Sequence, residues 1–495
     1  MLRFICCSVI VLSVFPCWCA AGADSSPPKN VLFIMSDDLN TALSGYGHPE
    51  CQTPHLDMLA ETGVSFTRAY SQWPICGPSR ASIMTGQYPE KNGVRRNKQK
   101  FRADLVTLPR LFRNSGYWVG RVGKIYHLGV PGEAMGGVSP SDHAPSWDYV
   151  YDIHAMETLT PGKAEDLMEP DSTSLYPELR EKWKNMEPGQ EKGLFSIPGN
   201  SQGSDAVVVE TADDPTLLAD GMSTNRAIEI LRERAADEKP FFLGVGFLRP
   251  HAPYVAPERD FASYDYREMS VPEVPADDAA DIPRQSLGKD LQPDPVKRQK
   301  IRRGYYASVT YMDRMVGRLL AALDELGLRE NTIIVFVSDH GYLLGEHNQW
   351  RKNQLWEEAI RVPLIISAPE LKIRGESCPQ IVELIDLYPT VAELAGLTPD
   401  PGIQGLSLVS LLNDPASAHT RSDAYIQVPA GHGLRAGKWA YMWYPENKKL
   451  PEGFMLYDME QDPAQWTNLA ESIEHRVVRE ALHQRLQERI QAAGE

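Results

Sequence analysis

Two stretches of the chain, residues 30–36 and 332–338, are apolar at almost every position (Asn-Val-Leu-Phe-Ile-Met-Ser and Thr-Ile-Ile-Val-Phe-Val-Ser). A strand with one wet face alternates apolar and polar side chains. An unbroken apolar run therefore predicts a strand covered on both faces, as in a parallel sheet. Similar runs occupy 117–122, 240–248 and 362–367. Between them the period lengthens to that of helices. Residues 54–62 carry Pro54 in the first turn and Gly63 past the end, and helical patterns recur at 107–114 and about 220–235. The longest helix, roughly 300–326, places Val309, Met312, Val316, Leu319 and Leu323 on one face and stops at Gly327. A further apolar helix is expected from about 379 to 395. Strands alternating with helices predict an α/β fold, a doubly wound and mostly parallel sheet that binds ligands at the carboxyl ends of its strands.

Two regions, 130–215 and 256–295, lack this periodicity and are rich in Pro, Gly, Ser and acidic residues. They predict long loops laid over the scaffold, where specificity usually resides. From about residue 420 the style changes again. Short segments at 425–428, 433–444 and 454–457 predict antiparallel strands, and 474–491 an amphipathic helix, together a smaller C-terminal α+β subdomain. The expected organisation is a leader over 1–23, a catalytic domain over 24–419 and this subdomain over 420–495.

The leader reads as a secretory signal peptide. Arg3 precedes an apolar run from Phe4 to Phe15, and small residues end at Ala23. The run is shorter than the roughly 20 residues of a membrane span, so no stable membrane insertion is expected. The expected location is secreted or periplasmic. Four of the seven cysteines leave with this segment, so Cys51, Cys76 and Cys378 remain, too few for a disulfide scaffold. Loss of Arg3 takes the formal charge from −16 to −17. So acidic a chain is a poor partner for nucleic acid, and an anionic substrate would need a local cluster of cations.

Such a cluster can be assembled from strand ends. The first two of these apolar runs stop at Asp37-Asp38 and at Asp339-His340. In a doubly wound fold both pairs reach one sheet edge, and three carboxylates there repel one another unless a cation lies between them. Hard oxygen ligands point to Ca²⁺ or Mg²⁺, with Ca²⁺ preferred for a crowded, irregular set. The single imidazole keeps zinc open. Either pair alone would be an ordinary turn or helix cap; two pairs after two buried strands favour a metal site. Lys124 and His127, His251, and Arg351-Lys352 also follow apolar runs or turns. They offer charge for the non-bridging oxygens of an anionic ester and imidazoles to move protons.

Residues 74–86 read Pro-Ile-Cys-Gly-Pro-Ser-Arg-Ala-Ser-Ile-Met-Thr-Gly. A helix from Ser79 to Thr85 would leave Cys76 in a loop at a helix N-terminus, a place that favours an anion. A lone Cys-x-Pro is more often a buried structural cysteine. The neighbouring acidic pairs tip the balance towards chemistry.

This stretch resembles the signature of the type I sulfatases, in which Cys-x-Pro-x-Arg directs oxidation of the cysteine to Cα-formylglycine. Residues 116–127, ending Gly-Lys-Ile-Tyr-His, resemble the family's second signature. Residues 30–38, Arg249-Pro250-His251, Asp339-His340-Gly341 and Leu456-Tyr457-Asp458 match in order. Gln87, where many members have Arg, and Val119 and Gly120, where a hydroxyl is favoured, depart from the pattern without touching the metal or acid positions. The resemblance implies an alkaline-phosphatase-like fold and a sulfuric ester hydrolase acting on a sulfated carbohydrate. It also implies a formylglycine-generating enzyme as partner. Carried over residue by residue, Cys76 becomes the formylglycine nucleophile, and it holds Ca²⁺ with Asp37, Asp38, Asp339 and His340. Arg80 supports the formylglycine, Lys124 and Lys352 bind sulfate oxygens, His251 protonates the leaving alcohol, and His127 accepts the proton that releases sulfate. Arg96 and Lys98, in a basic stretch just after the signature, are either a rim for an anionic sugar or an ordinary solvated loop. Two alternatives share the architecture: a phosphate or phosphonate monoester hydrolase, and a non-catalytic glycan-binding relative.

Overall fold

The computed structural model describes residues 28–190, 206–288, 293–418 and 421–495. The expected signal peptide and the expected domain boundary at 419–420 lie outside the described residues. The apolar runs form the middle of an eight-stranded sheet. In chain order its strands are β1 (Asn30–Asp37), β2 (Val64–Tyr70), β3 (Trp118–Gly123), β4 (Tyr149–Tyr151), β5 (Phe241–Pro250), β6 (Thr332–Ser338), β7 (Arg361–Ser367) and β8 (Glu376–Glu383). Across the sheet the order is β8-β2-β7-β6-β1-β5-β3-β4. Neighbours are parallel except at β7, which runs against both β2 and β6.

The unbroken apolar runs are buried on both faces, as expected. Leu32 and Ile34 of β1 pack with residues of α2 (Ala219–Ala235) and α3 (Pro295–Glu325). Val31, Phe33 and Met35 point the other way, into a layer that includes α1 (Cys76–Thr85) and the helix Leu387–Leu394. Each such side chain contributes roughly 1.5–3 kcal/mol by leaving water, so the central strands are the most firmly held part of the sheet.

Several elements differ from the sequence reading. Residues 376–383 form β8 alongside β2, and only Leu387–Leu394 of the expected apolar helix is α-helical. Ile381, Val382, Ile385 and Tyr388 suit a helical spacing, but the backbone of β2 needs a partner on that side. β2 itself is hidden in the sequence because its alternation is broken. The register slips opposite Val362/Leu364 on one side and Cys378/Ile381 on the other. The stretch expected as loops also contains β4, the helix Tyr176–Lys184, and the strands Gly162–Asp166 and Val207–Thr211, which make a small sheet with Tyr254–Pro257. α3 starts at Pro295, earlier than roughly 300, because the Asp294 side chain accepts from the Lys297 N–H at 3.0 Å and caps it.

The C-terminal meander is β9 (Asp423–Val428), β10 (Gly431–Ala436), β11 (Trp439–Tyr444) and β12 (Gly453–Asp458), all antiparallel. The expected 433–444 strand is two strands, folded at Gly437 in the left-handed region (φ +57°). One face of the meander carries the helix Arg476–Gly494, and the other packs on Leu355 and Trp356 of the main domain. Among the described residues no helix is long and apolar enough to cross a membrane. Cys51, Cys76 and Cys378 are buried and unbridged.

Candidate active site

Strands β6, β1, β5 and β3 are adjacent and parallel, so their carboxyl ends present Asp339-His340, Asp37-Asp38, His251 and Lys124 along one edge. β2 points the same way, and the chain leaving it at Tyr70 runs directly to Cys76. The reversed β7 begins at this edge, and the segment leading into it brings Lys352.

Cys76 is not in a loop before a helix: α1 starts at Cys76 itself. Pro78 has no N–H to leave unpaired in this first turn, and the Gly77 N–H donates to Asn97 Oδ1 at 2.9 Å. A Cβ on Gly77 would lie 2.7 Å from Asn97 Cα and 3.0 Å from the Arg96 carbonyl, so only glycine lets this segment close over the helix start. Cys76 and Arg80, four residues apart, share one helix face.

Ligand atoms of Asp37, Asp38, Cys76 and His340 all lie within 4.8 Å of one another, and all four residues are buried. His340 Nδ1 is tied to the Gly341 carbonyl at 2.9 Å, which turns Nε2 to Cys76 Sγ at 3.4 Å and Asp38 Oδ1 at 3.5 Å. Asp339 stands directly behind. Its Oδ2 accepts from Arg80 Nε at 2.7 Å, and its Oδ1 accepts from the backbone N–H groups of Asp38 and His340. Arg80 also donates to Asp37 Oδ1 at 3.2 Å and to the carbonyls of Ser36, Lys124 and Ile125. Lys124 Nζ pairs with Asp37, and Lys352 Nζ with Asp38 and, at 3.3 Å, with Cys76 Sγ. His251 Nε2 is 3.7 Å from Asp38 Oδ2, with Nδ1 fixed 2.6 Å from the Ala252 carbonyl. His127 is buried beside Cys76.

The field of this cluster is visible in its titrations. Burial opposes ionisation of Asp37, yet Lys124, His251 and Arg80 hold it below the usual carboxylate range. Burial likewise raises the Cys76 thiol, but Lys124, Lys352 and His340 outweigh it and keep it well below the usual thiol range. Burial disfavours charge on His340, while Asp339 and Cys76 push it up to about 9. His251 is also raised, because Asp38 outweighs burial, whereas His127 is lowered, chiefly by burial. The site therefore collects carboxylates, a thiol and cations at one buried sheet edge. An oxygen-rich set with one imidazole fits a hard divalent cation. The proton favoured on His340 is the one such an ion would replace.

Sequence reasoning missed the residues that hold this geometry. Asn97 caps the Cys76 helix from another segment. Glu157, in left-handed backbone (φ +50°), meets Arg249 at 2.7 Å, and Asp220 accepts from the N–H groups of Leu248 and Arg249. This buried network holds the end of β5 that delivers His251. Glu157 lies in a stretch without periodicity, so nothing local marks it. Arg96 and Lys98 are exposed; Lys98 faces Glu133 at 3.8 Å, and Arg96 covers Gly77 through its backbone rather than its charge.

The chain matches a family model described as Sulfatase over residues 29–397, and one described as N-sulphoglucosamine sulphohydrolase, C-terminal, over residues 345–492. A protein named Sulfatase from Formosa agariphila is 31% identical over 476 residues, covering 92% of this chain and 85% of that one. Iduronate 2-sulfatase from Homo sapiens is 31% identical over 457 residues, covering 88% of this chain and 75% of that one. The crystal structure of a phosphonate monoester hydrolase from Agrobacterium radiobacter superposes with a TM-score of 0.72 at 23% identity, covering 94% of this chain and 96% of that one. That last likeness speaks for the fold alone.

Proposed function

This chain belongs to the sulfatase family and is a sulfuric ester hydrolase, and on that premise we propose that it removes sulfate from a carbohydrate, in the manner of iduronate 2-sulfatase. The observation that carries the reading is the convergence of Asp37, Asp38 and His340 on Cys76 within 4.8 Å. The nucleophile is Cα-formylglycine made from Cys76, beside a divalent cation for which Ca²⁺ is preferred. When present, the hydrated aldehyde supplies an oxygen nucleophile and the cation lowers the cost of its charge.

The chain's own residues do the rest. Asp37, Asp38 and His340 would hold the cation, with Asp339, paired with Arg80, completing the set. Lys124, paired with Asp37, and Lys352, 3.3 Å from Cys76 Sγ, bind the non-bridging sulfate oxygens, offsetting charge that develops there. His251, whose Nδ1 is anchored and whose raised pKa keeps a proton available, delivers that proton to the leaving alcohol oxygen. His127, held neutral by burial beside Cys76, would accept the proton whose loss frees sulfate. A formylglycine-generating enzyme must act on Cys76 beforehand. We place the working enzyme outside the cytoplasm, on the strength of the leader.

Both sulfate and phosphate esters are tetrahedral anions, so the discriminating test compares 4-nitrophenyl sulfate with 4-nitrophenyl phosphate. The sulfate is expected to turn over faster by kcat/KM; the reverse order would transfer the site to the phosphate or phosphonate reading. Metal dependence follows from the ligand set. Chelation is expected to remove activity, and Ca²⁺ at about a hundredfold its Kd should then raise stability by about 2.7 kcal/mol, read as an increased Tm. An unchanged Tm and unchanged activity after exhaustive chelation would rule the cation out.

A further inference from the structure

His251 is held through Arg249, and two carboxylates grip Arg249 in different ways. Asp220, in the first turn of α2, accepts from the N–H groups of Leu248 at 2.7 Å and Arg249 at 3.0 Å, fixing the backbone where β5 ends. Glu157 acts on the side chain. Its Oε2 accepts from Arg249 Nη2 at 2.7 Å, and both side chains are almost wholly buried. The other arm of the same guanidinium, Nη1, donates to the His251 carbonyl at 2.8 Å. A guanidinium is a rigid planar fork, so holding Nη2 also aims Nη1. Two backbone contacts close the turn: the His251 N–H donates to the Leu248 carbonyl at 2.8 Å, and Ser36 Oγ donates to the Arg249 carbonyl at 2.9 Å.

Stability is a poor account of this arrangement. A buried ion pair recovers little of what it costs to take both charges out of water, and apolar side chains of similar volume often serve as well or better. Glu157 also stands in left-handed backbone (φ +50°), which a residue with a side chain adopts at a cost. The turn that imposes this is fixed from behind, where Arg180 donates to the carbonyls of Leu159 at 2.6 Å and Thr160 at 3.2 Å. The contacts of this network lead to one half of the site. They run from Glu157 through Arg249 to the His251 backbone, whereas Arg80, Lys124 and Lys352 pair directly with Asp37 or Asp38.

Resting on the reading of His251 as the acid for the leaving alcohol, we propose that Glu157 and Arg249 are positioning residues for that proton transfer. They aim His251 at the leaving oxygen and leave the cation and the sulfate oxygens to the other residues. A reacting group displaced by about 1 Å loses on the order of 10²-fold in rate. Here the loss falls on esters whose leaving group needs the proton. A nitrophenolate departs unaided, and the conjugate base of a weaker acid does not.

The test compares phenyl sulfate with 4-nitrophenyl sulfate by kcat/KM, using the full-length enzyme oxidised at position 76. Glu157→Gln keeps the shape and removes the charge, and is expected to lower the phenyl to 4-nitrophenyl ratio by roughly tenfold. Glu157→Asp keeps the charge and suits left-handed backbone, so it should restore part of the ratio. Arg249→Lys, whose single ammonium cannot bridge Glu157 and the His251 carbonyl as a fork does, should lower the ratio as Glu157→Gln does. Molecules that fail to fold contribute to neither term, so the ratio reads the folded fraction alone. His251→Ala is the reference and should lower the ratio at least as far. A ratio lowered by His251→Ala but unmoved by Glu157→Gln and Arg249→Lys overturns this inference and leaves His251 as the acid. A ratio unmoved by His251→Ala overturns the acid assignment and this inference with it.

Discussion

Cys76→Ala is expected to abolish sulfate-ester hydrolysis, with kcat falling on the order of 10⁴-fold or more, as for other enzymes that lose a covalent nucleophile. The structure makes the expectation specific to this cysteine. Cys76 lies against Asp38, His340, Lys352 and His127, whereas Cys51 hydrogen-bonds Tyr264 and Cys378 the Pro415 carbonyl. Cys51→Ala and Cys378→Ala should therefore affect stability through lost packing and leave sulfate release intact. Peptide mass spectrometry supplies the second readout: position 76 of active wild-type protein should be the aldehyde or its hydrate. An intact thiol at position 76 in fully active protein would sink the formylglycine reading, and so would activity surviving in Cys76→Ala.

Arg80→Met should be the most destabilising single change at the site. Arg80 is wholly buried and is the shared partner of Asp37 and Asp339, besides bonding three backbone carbonyls. Methionine approximates its stem and removes the charge, leaving two buried carboxylates without their common cation. Breaking a buried pair in this way costs about 3–5 kcal/mol. The loss should appear as a lower urea midpoint with an unchanged slope. Arg80→Lys should recover only part, because an ammonium cannot span both carboxylates in the planar geometry of a guanidinium. A wild-type midpoint for Arg80→Met would show that Arg80 serves only as a mark for the modifying enzyme.

The two positions illustrate what local sequence can carry. Cys76 and Arg80 sit four residues apart on one turn, so their common face follows from helical period alone. The acidic pairs were legible for a similar reason. Asp37-Asp38 and Asp339-His340 terminate strands so apolar that they must be central and parallel, and parallel neighbours end at one edge. Lys124 and His251 follow the same rule on β3 and β5. Lys352 was legible through motif resemblance, but the left-handed backbone at Arg351 and Asn353 on either side of it was not. The true start of α1 was misjudged by three residues, since its cap is Asn97, a residue from a different segment.

By itself, then, the sequence determined the layered α/β core, the strand ends that carry Asp37-Asp38 and Asp339-His340, and the placing of Cys76 and Arg80 on one helix face. Each of these rests on a period or a short spacing. Only the tertiary structure decided that β7 runs backwards, that 376–383 is a strand, and that Glu157, Asp220 and Asn97 brace the site from afar. The physical reason is common to all of them. A backbone edge that needs a partner, a buried guanidinium that needs a carboxylate, and a helix N–H that needs an acceptor are each satisfied by whichever segment folds alongside. No local pattern records which one that is.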